Sequence, residues 1–194
     1  MARLVTISGP TGIGKDALIE ALLKRHPDWV VASSVTTRPK RRAENTRKRY
    51  YFVTDKDFNE LERNNELLEW EHVHTWRYGT LKHSVEEPLA AGKNVLLNVD
   101  YKGALKIKAQ FHEFNPLTIF LTYDPETTLR EAIDQRFAND LTRRKLSDKE
   151  VDVRAETAKE ETGHTDKFDV VIKNTDGKFD GTVELAEKAI AGHA

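Results

Sequence analysis

Short apolar runs alternate along the chain with segments whose apolar residues recur every three or four positions. The apolar runs predict strands over residues 4–8, 30–35, 50–53, 67–73, 94–99, 117–122 and 170–172. Helical spacing and capping signals predict helices over residues 16–26, 55–64, 84–91, 102–111 and 147–161, one that begins at Asp124 and one at the carboxyl terminus. Strands separated by helices indicate an α/β fold whose mainly parallel sheet is covered on both faces.

The composition favours one compact domain. Of the 194 residues, 38% are hydrophobic, which is enough for one sizeable core. The 31 Lys and Arg residues nearly balance the 32 Asp and Glu residues, so no global charge favours nucleic acid or an anionic membrane. The sequence contains no cysteine and no apolar run near the roughly 18 residues of a membrane span. We therefore expect a cytoplasmic monomer or homodimer without nucleic-acid or membrane partners.

The strongest chemical signal follows the first predicted strand. Residues 9–15 read Gly-Pro-Thr-Gly-Ile-Gly-Lys between that strand and a predicted helix, and we call them the phosphate loop. Glycines let the backbone close around a phosphate, while amide N–H groups and a helix amino terminus face the anion and the lysine reaches the terminal phosphates. The ATP contacts predicted here are Gly9, Pro10, Thr11, Gly12, Ile13, Gly14, Lys15 and Asp16.

The residue after the loop lysine departs from the usual pattern. Where a serine or threonine hydroxyl usually contacts Mg²⁺, this chain has Asp16. A carboxylate is a harder and more charged oxygen ligand, so Asp16 is a candidate ligand for the Mg²⁺ that accompanies ATP. An aspartate in a first helical turn is also stabilised by the helix dipole, so a purely structural role stays open.

A second set of motifs lies in the part of the chain around the second, third and fourth predicted strands. Residues 34–41 read Ser-Val-Thr-Thr-Arg-Pro-Lys-Arg, residues 50–53 Tyr-Tyr-Phe-Val, residues 68–70 Leu-Glu-Trp and residues 78–80 Tyr-Gly-Thr. With the phosphate loop, and in this order, these motifs resemble the guanylate kinase family. The resemblance implies a P-loop NTPase three-layer fold with a core of residues 1–33, 84–125 and 164–194, an inserted GMP-binding lobe of residues 34–83 and a helical lid of residues 126–163.

The resemblance also assigns roles within the lobe. The residues expected to hold the GMP phosphate are Arg38, Arg41, Tyr50 and Tyr78. The residues expected to read guanine are Ser34, Glu69, Thr80 and Asp100. The chemistry agrees, because one carboxylate can accept both the N1–H and the exocyclic N–H of guanine, whereas adenine would leave it unpaired. Taken without the resemblance, the arginines suit a solvated basic face, the tyrosines a strand core and Asp100 a helix cap.

Further roles concern the lid, the donor base and the metal. Arg136 and Arg154 align with lid arginines of the family, and Asn174 aligns with a position near the base of ATP. The predicted catalytic residues are Lys15, Arg38, Arg136 and Arg154. The family usually has an aspartate at the position of Asn98 and a hydroxyl residue at the position of Asp16. In this chain the carboxylate is therefore at position 16 instead of position 98. We expect Asp16 to anchor the Mg²⁺ shell and Asn98 to fill the neutral position.

Two other functions stay open. Ribose 1,5-bisphosphate phosphokinases, built on the same scaffold, resemble this chain in the Gly-Lys-Asp of the phosphate loop and in Asn98, but they lack the glutamate at position 69. A guanylate-kinase-like module that binds phosphopeptides has no use for an intact phosphate loop. Because a sugar bisphosphate offers no base for Glu69 to read, the sequence favours ATP-dependent phosphorylation of GMP or dGMP by in-line transfer.

Overall fold

The structure, a computed structural model, describes residues 2–40, 50–73, 75–123, 128–139, 146–175 and 177–193. Its strands are β1 Leu4–Ser8, β2 Val30–Val31, β3 Ser34–Thr36, β4 Tyr50–Phe52, β5 Leu67–Val73, β6 Trp76–Leu81, β7 Val95–Asn98, β8 Leu117–Thr122 and β9 Val170–Lys173. Its α-helices are α1 Lys15–Arg25, α2 Asp55–Arg63, α3 His83–Ala90, α4 Tyr101–Gln110, α5 Leu129–Asn139, α6 Asp148–Thr162 and α7 Phe179–Gly192. None of these helices is long and apolar enough to cross a membrane.

A five-stranded parallel sheet forms the core, in the order β2-β7-β1-β8-β9. The central strand β1 is buried along its whole length and pairs with β7 and β8 on either side. Ile7 thereby lies between Asn98 and Ile119. Since all five strands are parallel, their carboxyl ends share one edge, where open α/β sheets bind their ligands.

Helices cover both faces of this sheet. Alternate residues of β1 point to opposite faces. Ile7 lies in a cluster with Leu18 of α1 and Ile190 of α7, together with residues of α5 and α6. Leu4 lies in a second cluster that includes Val85 of α3 and residues of α4. The predicted arrangement of a parallel sheet between two helical layers is therefore confirmed.

A second sheet has four strands in the order β4-β3-β6-β5. Strand β3 pairs in parallel with β4 and antiparallel with β6, and β5 completes an antiparallel pair with β6. Its apolar cluster joins Val35, Leu67 and Leu81 to Phe58 of α2. This sheet therefore has a small core of its own beside the main one.

Two strand predictions need correction. The predicted strand over residues 30–35 is two strands: β2 joins the core sheet, whereas β3 starts the second sheet. At the break the Ala32 N–H donates to Leu96 in the core sheet, and the Ser33 carbonyl accepts from Leu81 of the second sheet. An apolar run does not show where a chain changes partners. Strand β6 was not predicted, because its sequence Trp-Arg-Tyr-Gly-Thr-Leu lacks regular alternation.

The helix predictions agree with the structure within a few residues. Thr54 and Ser147 form the capping boxes that begin α2 and α6. The predicted helix start at Asp124 lies outside the described residues, and α5 is described from Leu129. Immediately before it, Thr128 and Glu131 exchange hydrogen bonds of the capping-box type.

Candidate nucleotide site at the edge of the parallel sheet

The phosphate loop joins β1 to α1 at the carboxyl edge of the core sheet. Gly9 has a φ of 134°, and a Cβ there would collide with the carbonyl oxygen of Leu121. Gly14 has a φ of 108° and caps α1. Both positions therefore require glycine: the first for close approach to β8, the second for a left-handed turn into the helix. The loop thus places the amino terminus of α1 at this edge, as an anion site requires.

Lys15 is folded onto the loop that precedes it. Its Nζ donates to the carbonyl oxygens of Gly9 and Pro10, the latter at 3.1 Å. The Ile13 N–H also donates to the Pro10 carbonyl, at 3.1 Å. The ammonium is thereby kept at the loop, within reach of a phosphate that the loop amides would bind.

Asp16 and Asn98 are in direct contact. The Asn98 side-chain amide, at the end of β7, donates to Asp16 Oδ1 at 2.8 Å. The bond orients the Asp16 carboxylate at the start of α1, beside the phosphate loop. Among the described residues no group of three or more His, Asp or Glu side chains is arranged to hold a metal. The single carboxylate of Asp16 suits Mg²⁺ that arrives with ATP, because such an ion takes few protein carboxylates and keeps oxygens of water and phosphate as its other ligands.

Four of the predicted GMP-binding residues form one row across the second sheet. Ser34 of β3 is paired with Tyr50 of β4 on one side and with Thr80 of β6 on the other, and Thr80 is paired with Glu69 of β5. Directly paired residues present their side chains on the same face of a sheet. The row therefore brings together a tyrosine, two hydroxyl side chains and a carboxylate.

A β-bulge sets the position of Glu69 in this row. Leu67 pairs with Leu81, but the register shifts before Glu69, which pairs with Thr80. In a regular antiparallel ladder Glu69 would instead lie opposite Gly79. The bulge therefore moves the carboxylate beside the Thr80 hydroxyl, an example of a bulge that redirects a side chain at a site.

The Glu69 carboxylate is buried and accepts a hydrogen bond from Thr80. It is 5% exposed, and Thr80 Oγ1 donates to its Oε1 at 2.5 Å. Burial, helped by the negative charge of Asp100, raises the pKa of Glu69 to about 7, while the Thr80 hydrogen bond opposes that rise. A Cβ on Gly103 of α4 would lie 2.9 Å from Glu69 Oε2 and 3.2 Å from Asp100 Oδ1. The two carboxylates therefore face the same small space in front of α4.

Asp100 has the structural role that its sequence context allowed. It is the N-cap of α4, and its Oδ1 accepts from the Gly103 N–H at 2.7 Å. The capping prediction is thus confirmed, and the cap holds the carboxylate beside Glu69. A part in reading guanine stays a prediction.

Three of the four predicted phosphate-holding residues are described, and they lie along the same face or next to it. Tyr78 is paired with Thr36 and lies two positions from Thr80, on the same side of β6. Arg38 follows β3, with its guanidinium 5.3 Å from the centre of the Phe52 ring. Arg41 lies outside the described residues.

The helices α5 and α6 carry the predicted lid arginines. Arg154 of α6 has its guanidinium 4.8 Å from the Phe137 ring centre, and with Thr11 it lines a cleft of about 250 Å³ between the phosphate loop and α6. For Arg136 the structure describes the backbone within α5 but not the side chain.

Glu161, near the end of α6, is a residue that the sequence analysis missed. Its Oε2 is buried and has no hydrogen-bond partner among the described residues. Burial raises the pKa of Glu161, and the charge of Lys15 opposes that rise. The Glu161 carboxylate therefore lies within electrostatic reach of the Lys15 ammonium. A glutamate in a charged helix gives no sequence signal of such a position.

Asn174, predicted to lie near the base of ATP, is buried at the carboxyl end of β9. It aligns with a position near the base of ATP, but its side chain is buried, with 3% of the residue exposed. Its Nδ2 donates to the Ile13 carbonyl at 2.6 Å, and its Oδ1 accepts from Thr182 Oγ1 at 3.1 Å. The amide is therefore engaged inside the protein, behind the phosphate loop, and a contact to the base stays a prediction. Tyr123 was not singled out in the sequence. Its hydroxyl donates to the Thr11 carbonyl at 3.3 Å. Tyr123 directly follows β8 and Asn174 directly follows β9, and the end of an apolar strand is a sequence signal for the edge of the sheet that carries the site.

The fold and this site define a phosphate-loop kinase. A crystal structure of guanylate kinase from Anaplasma phagocytophilum superimposes with a TM-score of 0.72 at 24% identity, covering 98% of this chain and 85% of that one. Shikimate kinase from Bacteroides thetaiotaomicron superimposes with a TM-score of 0.54 at 13% identity, covering 97% and 98% of the two chains. At these identities the likeness shows the fold, and it confirms the predicted fold class.

Within that class the chain belongs to the guanylate kinase family, whose model matches residues 1–192. The guanylate kinase of Thermotoga maritima is 38% identical over 174 residues, which are 89% of this chain and 79% of that protein. That of Thermobifida fusca is also 38% identical over 174 residues, with 89% and 84% covered. That of a Nostoc species is 34% identical over 190 residues, with 98% and 90% covered. The resemblance seen in the sequence motifs is confirmed.

Proposed function

We propose that this protein transfers the γ-phosphoryl group of ATP to GMP, giving GDP, and that it accepts dGMP in the same way. The observation that carries the proposal is the buried Glu69 carboxylate in line with Ser34 and Thr80. A purine base could form hydrogen bonds with the carboxylate and the two hydroxyls of this cluster. The cluster lies on the second sheet and is separate from the phosphate loop. Membership of the guanylate kinase family supports the same reaction.

The Glu69 carboxylate explains a preference for guanine. Ionised, it accepts two parallel hydrogen bonds, which match the N1–H and the exocyclic N–H of guanine. Adenine presents an acceptor where guanine has N1–H, so binding adenine would leave the buried carboxylate unpaired. A site built on such a group rejects the mismatched analogue strongly, because the unpaired charge stays buried.

The second sheet and α2 form the acceptor lobe in this proposal, within residues 34–83. Arg38 and Arg41 would hold the acceptor phosphate through charge-assisted hydrogen bonds, and Tyr50 and Tyr78 through their hydroxyls. The positions of Tyr50 and Tyr78 on the face that carries Glu69 support this role, because one bound nucleotide would then span both groups. The acceptor phosphate oxygen is already anionic, so the transfer needs no protein base.

The phosphate loop and the Lys15 ammonium would bind the donor phosphates, within residues 9–16. The Mg²⁺ bound with ATP supplies charge neutralisation across the donor phosphates. Asp16 would hold that ion, and Asn98 would orient the Asp16 carboxylate through the bond already present. The lid, residues 126–163, would bring Arg136 and Arg154 to the transferred group, and the cleft shared by Arg154 and Thr11 supports that approach.

The proposal is tested by assaying phosphoryl transfer from ATP with Mg²⁺ to GMP, dGMP, IMP, AMP, UMP and ribose 1,5-bisphosphate in parallel. We expect GMP and dGMP to be phosphorylated at least about a hundredfold more efficiently than AMP. Glu69→Gln should lose that preference, whereas Glu66→Gln, an exposed neighbour on the same segment, should keep it. Activity confined to the sugar bisphosphate would overturn the proposal, as would phosphopeptide binding without any ATP binding.

A further inference from the structure

Asn174 is bound from three sides at the edge of the core sheet. Its backbone N–H donates to Thr122 of β8 at 2.9 Å, its Nδ2 to the carbonyl of Ile13 at 2.6 Å, and Thr182 of α7 donates to its Oδ1 at 3.1 Å. Ile13 is fully buried, and Asn174 and Thr182 are nearly so. A buried carbonyl oxygen without a hydrogen-bond donor is destabilising, so the bond from Asn174 stabilises the Ile13 carbonyl in its inward position.

The bond to Ile13 fixes a peptide group of the phosphate loop. A trans peptide is planar, and its C=O and N–H point in opposite directions. When the Ile13 carbonyl points inward to Asn174, the N–H of Gly14 must point outward, away from the core. Outward N–H groups at this turn are the donors that an anion meets at the start of α1.

Tyr123 acts on the same loop in the same way. Its hydroxyl donates to the Thr11 carbonyl at 3.3 Å, which turns the N–H of Gly12 away from Tyr123. The carbonyls of Thr11 and Ile13 are therefore both held by side chains that follow strands β8 and β9. The conformation of the loop is therefore stabilised by these two side-chain hydrogen bonds as well as by its glycines.

We propose that Asn174 is a positioning residue that sets the phosphate loop in its anion-binding conformation before ATP arrives. It acts on the phosphates of the donor through the Ile13–Gly14 peptide and makes no contact with the base. The inference rests on the proposed function only in requiring a triphosphate donor, and it is independent of the acceptor. A preset loop binds tighter, because less ordering is left to occur on binding.

The test compares two nearly isosteric variants that break different bonds of Asn174. Asn174→Leu is uncharged, so it adds no repulsion to the phosphates, and it has no donor for the Ile13 carbonyl. Thr182→Val removes the hydroxyl from the same buried cluster and leaves the Ile13 bond intact. Affinity is measured by direct binding of a fluorescent, non-hydrolysable ATP analogue and by its displacement with inorganic tripolyphosphate, which has no base. Displacement reports the donor site alone.

We expect Asn174→Leu to weaken binding of the analogue and of tripolyphosphate by the same factor, about tenfold, as the loss of one hydrogen bond to the loop implies. Thr182→Val should weaken both by less than about threefold. Melting temperatures and circular dichroism verify folding, and Asn174→Ala replaces the leucine variant if that variant does not fold.

Several results would overturn the inference. Weaker binding of the analogue with unchanged tripolyphosphate binding would show a contact to the base. Unchanged affinity for both ligands in a folded variant would show a purely structural residue, and equal losses in both variants would show a general effect of the buried cluster. A protein that fails to phosphorylate GMP but passes this binding test would refute the proposed acceptor and leave the role of Asn174 intact.

Discussion

The buried carboxylate of Glu69 should make the stability of the protein depend on pH in a way that one substitution removes. Burial raises its pKa from an ordinary 4.5 to about 7. Between these values the folded protein binds more protons than the unfolded chain, so the free energy of unfolding falls as pH rises. The stabilising contribution is complete below the unfolded pKa and is lost as pH rises through about 7.

The size of this effect follows from the two pKa values. At 1.36 kcal/mol per pKa unit, the difference between 4.5 and about 7 corresponds to about 3 kcal/mol. Glu69→Gln has no proton to lose, and its amide oxygen can still accept the Thr80 hydroxyl. The difference in stability between wild type and variant should therefore shift by about 3 kcal/mol, toward the variant, from about pH 4.5 to about pH 8.5.

Urea unfolding of both proteins at closely spaced pH values measures this difference directly. Glu66→Gln is the matched control, because Glu66 is exposed on the same segment and its substitution should give a difference that barely changes with pH. If the wild-type and Glu69→Gln curves ran parallel across the whole range, the carboxylate would not be held in its protonated form by burial. Guanine recognition would not be affected by that result, because it uses the ionised carboxylate, but the predicted rise of GMP affinity through about pH 7 would lose its basis.

Three further predictions concern ligands and the metal. The affinity for GMP should rise with pH through about 7, because only the ionised Glu69 accepts both guanine donors, and titration calorimetry across pH measures this. Asp16→Ser should lower kcat/KM at least about tenfold and weaken its Mg²⁺ dependence, with partial recovery on adding Asn98→Asp. Gly103→Ala should raise the KM for GMP and leave that for ATP unchanged, because its Cβ would meet Val99 and Glu69 at 2.5 and 2.9 Å.

Each of these predictions has a clear opposing outcome. A GMP affinity that is flat from about pH 5.5 to about pH 8.5 would show that the charge of Glu69 is not used. Full activity of the single Asp16→Ser variant would remove the carboxylate from the metal site. For Gly103→Ala the control is Gly181→Ala in α7, where a Cβ meets no atom within 4 Å and alanine should stabilise by up to about 1 kcal/mol. Equal behaviour of the two glycine variants would contradict the crowding in front of α4.

Local signals in the sequence predicted the donor half of the site. The phosphate loop is contiguous, and its glycines, lysine and flanking elements follow from neighbouring residues alone. The apolar strand that ends at Asn98 likewise predicted the edge at which Asp16 and Asn98 meet. The proximity of these two positions, 82 residues apart in the chain, was expected only from the family resemblance, and the structure shows that their side chains are hydrogen-bonded.

The acceptor half depended on pairings that a linear pattern does not contain. The shift of register between Leu67 and Glu69 decides which residue faces Thr80, and no propensity marks that bulge. The break between β2 and β3 is hidden within one apolar run, and β6 has no regular alternation. Only the resemblance to a family placed these residues together, because it contains the pairings that the pattern lacks.

Asn174 shows why a position in an alignment does not fix a role. An asparagine after the last strand reads equally well as an exposed loop residue or as a contact for the donor base. Packing of α7 supports the positioning role proposed above, since Thr182 donates to Oδ1 of the amide while its Nδ2 donates to the Ile13 carbonyl. A buried amide that supports the loop from behind serves any triphosphate donor, whatever its base. Donor selectivity in this protein should therefore depend on other residues, and the cleft between Thr11 and Arg154 is the place to look for them.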